Sequence, residues 1–199
     1  MEAHEKLEQA ENAEHAAGAN KQIALLIAVM ALFLSLSEML GKSANTEAIT
    51  LNIKVSDTWN FFQAKNIRRT VVLSAAEEMK VQAIRVGDTA SKAAMDKQID
   101  EWQKTAARYR SEPETGEGTD QLSKKAKDAE HERDEATHKY HHYEYASAMF
   151  QIAIVLASAT IITGMAWLAG VAGLLMLGGL VMTWAGLFWP HLLHALHLH

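Results

Sequence analysis

The stretch ASAMFQIAIVLASATIITGMAWLAGVAGLLMLGGLVMTWAGLFW, residues 146–189, decides the fold because it carries no charged side chain from end to end. A helix that crosses the hydrocarbon core of a membrane needs about 20 apolar residues, and this stretch is about twice as long. It therefore predicts two membrane helices, residues 146–167 and residues 168–189, with the break near Trp167–Gly170. Its glycines predict close helix packing; they are Gly164, Gly170, Gly173, Gly178, Gly179 and Gly186.

Another apolar block, residues 22–40, lies near the N-terminus and is long enough for one more crossing. Residues 1–21 before it are polar and acidic, unlike the basic start of a secretory signal, so the block is expected to remain as a membrane helix. Three crossings place the tail 1–21 on one side of the membrane. They place residues 41–145 and the His-rich tail 190–199 together on the other side.

The composition argues against several classes of function. The net charge is −5 and there is no basic tract, so nucleic acid is not an expected partner. Cysteine is absent, which excludes thiol catalysis and Cys-ligated metal sites. No HExxH, GxSxG or P-loop pattern occurs, and the chain is not expected to be an enzyme.

The polar segment 41–145 has the pattern of a helical hairpin. Apolar residues, with alanine the commonest, recur with 4,3 spacing from Val72 to Ala93, again from Met95 to Tyr109, and again, except at Arg133, from Leu122 to Tyr143. A stretch with Pro113 and two glycines at residues 111–119 predicts the turn. The predicted fold is thus an all-α membrane protein with three transmembrane helices. A long, coiled-coil-like antiparallel helical hairpin lies outside the membrane between helices 1 and 2.

Alanine seams bury little apolar area per residue, so a two-helix hairpin built on them is marginal alone. Self-association as a homo-oligomer, or assembly into a larger membrane complex, would supply the missing burial. The lipid bilayer is the other expected partner.

Histidines near the membrane form the one pattern that suggests a ligand. On a helix, His131, Glu135, His138 and His142 follow one continuous strip, which is not the seam face and is expected to point outward. The tail adds His191 and His194 on the same side of the membrane. Imidazole and carboxylate at this spacing can bind a transition metal such as zinc, copper or nickel. The alternative is that these side chains are solvated or interfacial, with no cofactor at all.

Glu38 is the only charge inside a membrane block. It is either an intramembrane functional carboxylate, as in a channel lining, or an end-of-helix charge that reaches the interface and pairs with Lys42 four residues on.

The segment VSDTWNFFQAKNIRRT (Val55–Thr70), together with FQIAIVLASATIIT (Phe150–Thr163), resembles a bacterial family called domain of unknown function 4337. The resemblance covers most of the chain and implies the same order of membrane and charged helices, but no activity. In the first segment, Trp59, Phe62, Lys65 and Arg69 follow one helical strip. They are candidates for packing or for contact with lipid or a partner, and Gln63 is expected to bond across helices.

These observations favour a non-enzymatic membrane scaffold or accessory subunit. Two alternatives remain open: a small oligomeric channel or transporter lined by Glu38, and a metal-binding protein that uses the His clusters. The lysines and arginines near the membrane are concentrated in residues 41–145. The positive-inside rule therefore predicts a cytoplasmic hairpin and C-terminus and a periplasmic N-terminus. The resemblance implies that the membrane is a bacterial inner membrane.

Overall fold

The structure of the chain is a computed structural model, which describes the backbone of residues 2–189 and the side chains of residues 21–189. Its order is α1 (Glu2–Arg85), α2 (Thr89–Arg110), α3 (Thr119–Thr163) and α4 (Ala166–Phe188). The all-helical prediction is confirmed, since no strand occurs among the described residues. The chain divides into two compact units, one formed by Met1–Ala48 and Asp134–His199 and the other by Ile49–Arg133.

The second unit, Ile49–Arg133, has a helix break where the sequence pattern predicted a continuous arm. Helix α1 ends at Arg85, and Asp88 caps the start of α2 by accepting hydrogen bonds from the amides of Ala90 (3.4 Å) and Ser91 (2.9 Å). An N-cap carboxylate of this kind satisfies amides that the first turn of a helix leaves unbonded. The break at residues 86–88 therefore interrupts the heptad pattern, and Ala90 and Ala93 are exposed instead of lying in a seam.

The direction of the chain reverses at this break. Helix α2 has 22 residues, and the segment after it ion-pairs with Lys65, about 30 Å back along α1 from Arg85. Helix α2 must therefore run back along α1. The predicted non-helical segment is present at residues 111–118, but it joins α2 to α3 at the level of Lys65. The return arm of the hairpin thus has two helices, and its reversal lies at residues 86–88 and not at the predicted turn.

Most of the predicted seam positions in this unit face its interior. The fully or nearly buried apolar side chains are Val55, Ala76, Ala83, Ile99, Ala106, Leu122, Ala126 and Ala129. Five of these eight are alanine, so the helices pack closely but bury little side-chain area.

The first unit contains the apolar C-terminal part of α3 and the whole of α4, which are joined by only two residues. Gly164 ends α3 with a positive φ of 70°, and its amide donates to the carbonyl of Thr160 at 2.9 Å. A residue with a Cβ is strained in this left-handed conformation, which is why glycine occupies the position. The break therefore lies at Gly164–Met165, a few residues before the predicted Trp167–Gly170.

Glycines on α4 allow α3 to approach closely. A Cβ on Gly179 would lie 2.9 Å from two ring atoms of Phe150, and a Cβ on Gly186 would lie 2.9 Å from the ring of Tyr143. Phe150 is fully buried and stacks on Phe33 of α1, with ring centroids 6.1 Å apart. The glycine prediction is thus confirmed for part of the set, because Gly170 and Gly173 have no such neighbour among the described residues.

Helices α1 and α4 share a buried polar contact. The hydroxyls of Ser37 and Thr183 lie 3.0 Å apart, and Ser37 is fully buried. Thr183 also donates to the carbonyl of Gly179 at 2.9 Å, so Ser37 is the donor of the first bond whenever Thr183 makes the second. Close by in sequence, Met30 packs with Ala153, Ala157 and Ala172 in the apolar core of this unit.

Three helices of the described part are long and apolar enough to cross a membrane: the portion of α1 from Lys21, α3 and α4. Their outward residues include Leu25, Leu32, Ile162, Leu174 and Val181, all more than 60% exposed. Large apolar side chains in this position suit contact with lipid, and the exposed Trp184 and Trp189 near the end of α4 suit the membrane interface.

Candidate functional site

The segment Val55–Thr70 holds the return arm onto α1 within the second unit. The indole nitrogen of Trp59 donates to Glu130 Oε1 of α3 at 2.9 Å, and its ring meets Phe62 edge-on, with centroids 5.2 Å apart. Lys54 adds an ion pair with Glu132 at 3.4 Å. Indole and phenyl rings are present here because they bury apolar area while the indole N–H still finds an acceptor. The predicted packing role of Trp59 and Phe62 thus has direct contacts.

Lys65 is the centre of this segment and is only 6% exposed. Its ammonium lies 3.1 Å from Glu112 Oε2 and 3.4 Å from Glu117 Oε2, both in the segment after α2. It also lies 5.6 Å from the ring centre of Phe61 and 6.0 Å from that of Tyr109. A buried ammonium requires such partners, so Lys65 fixes where α2 ends and α3 begins. Of the other candidates on this segment, Gln63 is exposed and Arg69 is half-buried.

The Lys65 pair predicts a pH dependence of stability. Hydrogen bonding from Lys65, and then from Thr115, holds the pKa of Glu112 below its usual range. Because the folded-state pKa is the lower one, this stabilisation is complete above the unfolded pKa of about 4.3 and is lost as the pH falls through the folded value. We expect Glu112→Gln to reduce the fall in thermal midpoint between about pH 5 and about pH 3, measured by circular dichroism. The exposed Glu114→Gln is the matched control, and equal curves for both variants would contradict the role of the pair.

The first unit contains a polar groove between α1 and α3. It has a volume of about 420 Å³. Its sides carry Glu38, Lys42 and Asn45 from α1, and Tyr140, Glu144 and Gln151 from α3. These positions are spaced i, i+4, i+7 on α1 and i, i+4, i+11 on α3, so each set lies along one face of its helix.

Small and buried residues form the floor of this groove. Gly41 allows the two helices to approach, since a Cβ there would lie 3.3 Å from the Cβ of Tyr143. Tyr143 and Ser147 are buried beneath the opening. The two acids have neutral or imidazole partners: Gln151 donates to Glu38 Oε1 at 3.3 Å, and Glu144 lies 3.4 Å from both the Tyr140 hydroxyl and His141 Nδ1. Contacts this long leave the carboxylates capacity for further donors.

Glu38 has a partner that neither sequence interpretation named. It is exposed toward the groove, and its side chain is bonded by Gln151 of α3. Among the described side chains, from residue 21 to 189, no carboxylate lies within ion-pair distance of Lys42 Nζ, so the predicted pair with Glu38 is not formed.

The predicted histidine strip is divided by the fold. His131 is exposed, His138 is half-buried, and Glu135 pairs with Lys139 at 3.0 Å. His142 was predicted to point outward with them, but it is fully buried, 3.0 Å from the position that a Cβ on Gly186 would occupy. The prediction was wrong at this position because α4 covers the face of α3 on which His142 lies.

Within residues 21–189, no three His, Asp or Glu side chains are placed to hold a metal ion. His191 and His194, the remaining predicted ligands, lie outside the described residues.

Sequence reasoning did not find the polar groove as a site. Its residues come from two segments about 100 residues apart, and only Glu38 and its expected partner Lys42 were singled out. The available signal was the pairing of strips at the ends of two apolar blocks: polar residues recur on one helical face around the end of the first block and around the start of the second. Reading these strips together requires knowing that α1 and α3 are neighbours.

Comparison with protein families finds one model, Domain of unknown function (DUF4337), that matches residues 19–189. The match includes both sequence segments that carry the resemblance and all three apolar helices. No curated protein and no solved structure matches the chain.

Proposed function

Because the chain belongs to the DUF4337 family, whose function is unknown, we infer its role from its own residues. We propose that the protein is a non-enzymatic integral membrane scaffold or accessory subunit. In this proposal, copies of the chain associate through the helices of Ile49–Arg133 and through the membrane helices. The observation that carries the proposal is an uncovered apolar face on α1.

The apolar stripe consists of five large aliphatic residues on α1 in the second unit. They are Ile49, Ile53, Ile67, Val71 and Val81, and each is between 53% and 62% exposed. With 100° between successive residues of an α-helix, the five lie within about 80° of arc. Scattered apolar residues are normal on a protein surface, whereas an aligned set of this kind is typical of an interface.

The same unit buries alanines and exposes its large aliphatic residues. Five of its eight buried apolar residues are alanine, whereas the stripe residues face away from them. Burying a large aliphatic side chain contributes about 1.5–3 kcal/mol, far more than burying an alanine methyl group. A second copy of the chain that covers the stripe would supply the burial that this unit lacks. We therefore take a second copy as the occupant.

Membrane helix α4 offers a further surface of the same kind. Gly170 and Gly173 have no described atom within 4 Å of an added Cβ, unlike the glycines that pack against α3. Small residues on a membrane helix allow another helix to approach closely. This surface supports assembly of copies within the membrane.

The stripe predicts a specific loss of assembly. We expect Ile53→Glu combined with Ile67→Glu to convert a defined oligomer into monomer, because two carboxylates would then be buried without partners. Native mass spectrometry of the full chain in mild detergent measures the distribution of species. Ile84→Glu is the matched control: Ile84 is 83% exposed but lies about 100° around the helix from Ile67.

The outcomes are separable. A monomer in the wild-type protein, or equal dissociation by Ile84→Glu, would contradict the stripe as the interface. Co-purification of the wild type with a different membrane protein, lost in the double variant, would assign the stripe to accessory-subunit assembly.

We also propose the bacterial inner membrane as the location, with a cytoplasmic hairpin and C-terminus and a periplasmic N-terminus. The three long apolar helices support a membrane location, and the distribution of lysine and arginine near the apolar blocks supports the orientation. Accessibility of single cysteines introduced at Lys54 and at Glu8 to a membrane-impermeant thiol reagent in intact cells tests it, since the natural chain has no cysteine. Labelling at position 54 without labelling at position 8 would reverse the proposed orientation.

A further inference from the structure

We propose that the polar groove between α1 and α3 binds an amino-phosphate headgroup, a primary ammonium joined to a phosphate, as in phosphatidylethanolamine. The proposal is independent of the apolar stripe, which lies in the other unit. Pockets that hold small molecules have volumes of about 300–1,000 Å³, and the groove, at about 420 Å³, lies within that range.

The two carboxylates of the groove define the ammonium subsite. Glu38 projects from α1 and Glu144 from α3, so they line opposite sides of one opening. Gln151 and Tyr140 donate hydrogen bonds to them only at 3.3 Å and 3.4 Å, and neither partner is a cation. His141, 3.4 Å from Glu144, is an exposed imidazole. A primary ammonium has three N–H donors and can bond to these carboxylates with the extra strength of charge-assisted hydrogen bonds.

Lys42 and Asn45 define the phosphate subsite. They follow Glu38 at i+4 and i+7 on the same face of α1, toward the polar end of the groove. The Lys42 ammonium has no carboxylate at ion-pair distance among the side chains from residue 21 to 189. A lysine ammonium binds phosphate as a point charge, and the Asn45 amide can add a neutral donor. The groove therefore carries both carboxylates and a base, as the headgroup carries both an ammonium and a phosphate.

The groove lies where a lipid headgroup lies. The first apolar block ends at Leu40 and the second begins at Ala146, so both strips cross the boundary of an apolar segment. One helical turn deeper, the strips become apolar, with Leu34 four residues before Glu38 and Val155 four residues after Gln151. Val155 is 67% exposed. An acyl chain can follow this apolar continuation while its headgroup remains in the groove.

Lipid titration of the full-length protein, followed by native mass spectrometry, tests the proposal. We expect phosphatidylethanolamine to bind about tenfold more tightly than phosphatidylcholine, whose trimethylated nitrogen has no N–H to donate. Glu38→Gln and Glu144→Gln should each weaken phosphatidylethanolamine binding about tenfold and leave phosphatidylglycerol binding unchanged. Lys42→Met should weaken the binding of all three lipids.

Glu47→Gln is the matched control, because Glu47 is exposed on α1 about 180° around the helix from Glu38. Circular dichroism and the oligomer distribution verify that each variant is folded. If Glu144→Gln does not fold, the binding measured for Glu38→Gln alone still tests the proposal.

Soluble phosphoethanolamine is the competitor. If it competes as effectively as the lipid, and if the competition is lost in the same variants, the groove binds a soluble amino-phosphate and not a lipid headgroup. Equal affinity for phosphatidylethanolamine and phosphatidylcholine, or unchanged binding in both acid variants, would overturn the proposal.

Discussion

Lys65→Glu is expected to open the segment between α2 and α3. The substitution replaces a buried cation by a third carboxylate beside Glu112 and Glu117, which lie 3.1 Å and 3.4 Å from the natural ammonium. Loss of one member of a buried ion pair is strongly destabilising because it leaves charge without compensation. We expect amide hydrogen exchange in residues 111–118 to accelerate about 100-fold, which reports local opening of that segment.

A charge swap separates ion pairing from packing. Lys65→Glu combined with Glu112→Lys restores an opposite pair at the same place and should recover most of the protection. Lys104→Glu is the control for charge reversal on a surface, because its pair with Asp100 is 75% and 59% exposed and such pairs contribute little. If the swap protects no better than Lys65→Glu alone, the segment is held by packing around Phe61 and Tyr109 and not by charge.

The second large effect is expected at Gly179, where α4 meets α3. In Gly179→Val, the new side chain would overlap the ring of Phe150, which is fully buried between α4 and Phe33 and has no free space to move into. Overpacking of this kind costs about 1–3 kcal/mol. Within the membrane that we propose for α4, the loss is one of close packing, since lipid is as apolar as the side chains it replaces. Unfolding in mixed micelles with increasing fractions of dodecyl sulfate measures the loss.

The companion variants for Gly179 define its role. Gly170→Val on the same helix should leave the stability of the monomer unchanged, because an added Cβ there has no described neighbour within 4 Å. Gly179→Val with Phe150→Leu should recover part of the loss, because leucine is smaller than the ring it replaces. Equal destabilisation by the two glycine variants would mean that valine harms α4 in some way other than by contact with Phe150.

The helical class and the three apolar helices were predictable because both depend on signals local in sequence. Residues 146–189 are uncharged and too long for one helix, and the 4,3 spacing of Leu122, Ala126 and Ala129 places them on one face wherever the partner helix lies. The break at residues 86–88 also had a local signal that the heptad interpretation overrode: Gly87 and Asp88 form a helix-stop and N-cap pair. The break was missed because alanine fits a heptad pattern whether or not it is buried. Ala90 and Ala93 have the expected spacing, yet they are exposed.

The positions that failed depend on which helices are neighbours. His142 lies off the predicted seam, and nothing near it in sequence shows that Gly186 of α4 covers it. The partners of Lys65 are similarly 47 and 52 residues away. The polar segment QAKNIRR gives no local sign that Lys65 is buried. Its burial can be predicted only when the distant carboxylates that pair with it are known. The periodicity of the sequence therefore predicted which face of each helix is buried. Which other helix covers that face could be known only from the structure.

Under the membrane location that we propose, the two-residue connection at Gly164–Met165 bears on how α3 and α4 insert. Helices α3 and α4 have no hydrated loop between them and no charge at the bend, so no local lysine or arginine can retain the bend on either side. Their insertion is then expected to be concerted, with the pair delivered as one element during synthesis. The basic residues before Ala146 would set its direction. Two lysines introduced at the bend would oppose its transfer across the membrane. Glycosylation of acceptor sites placed in the same bend would report on which side of the membrane the bend lies.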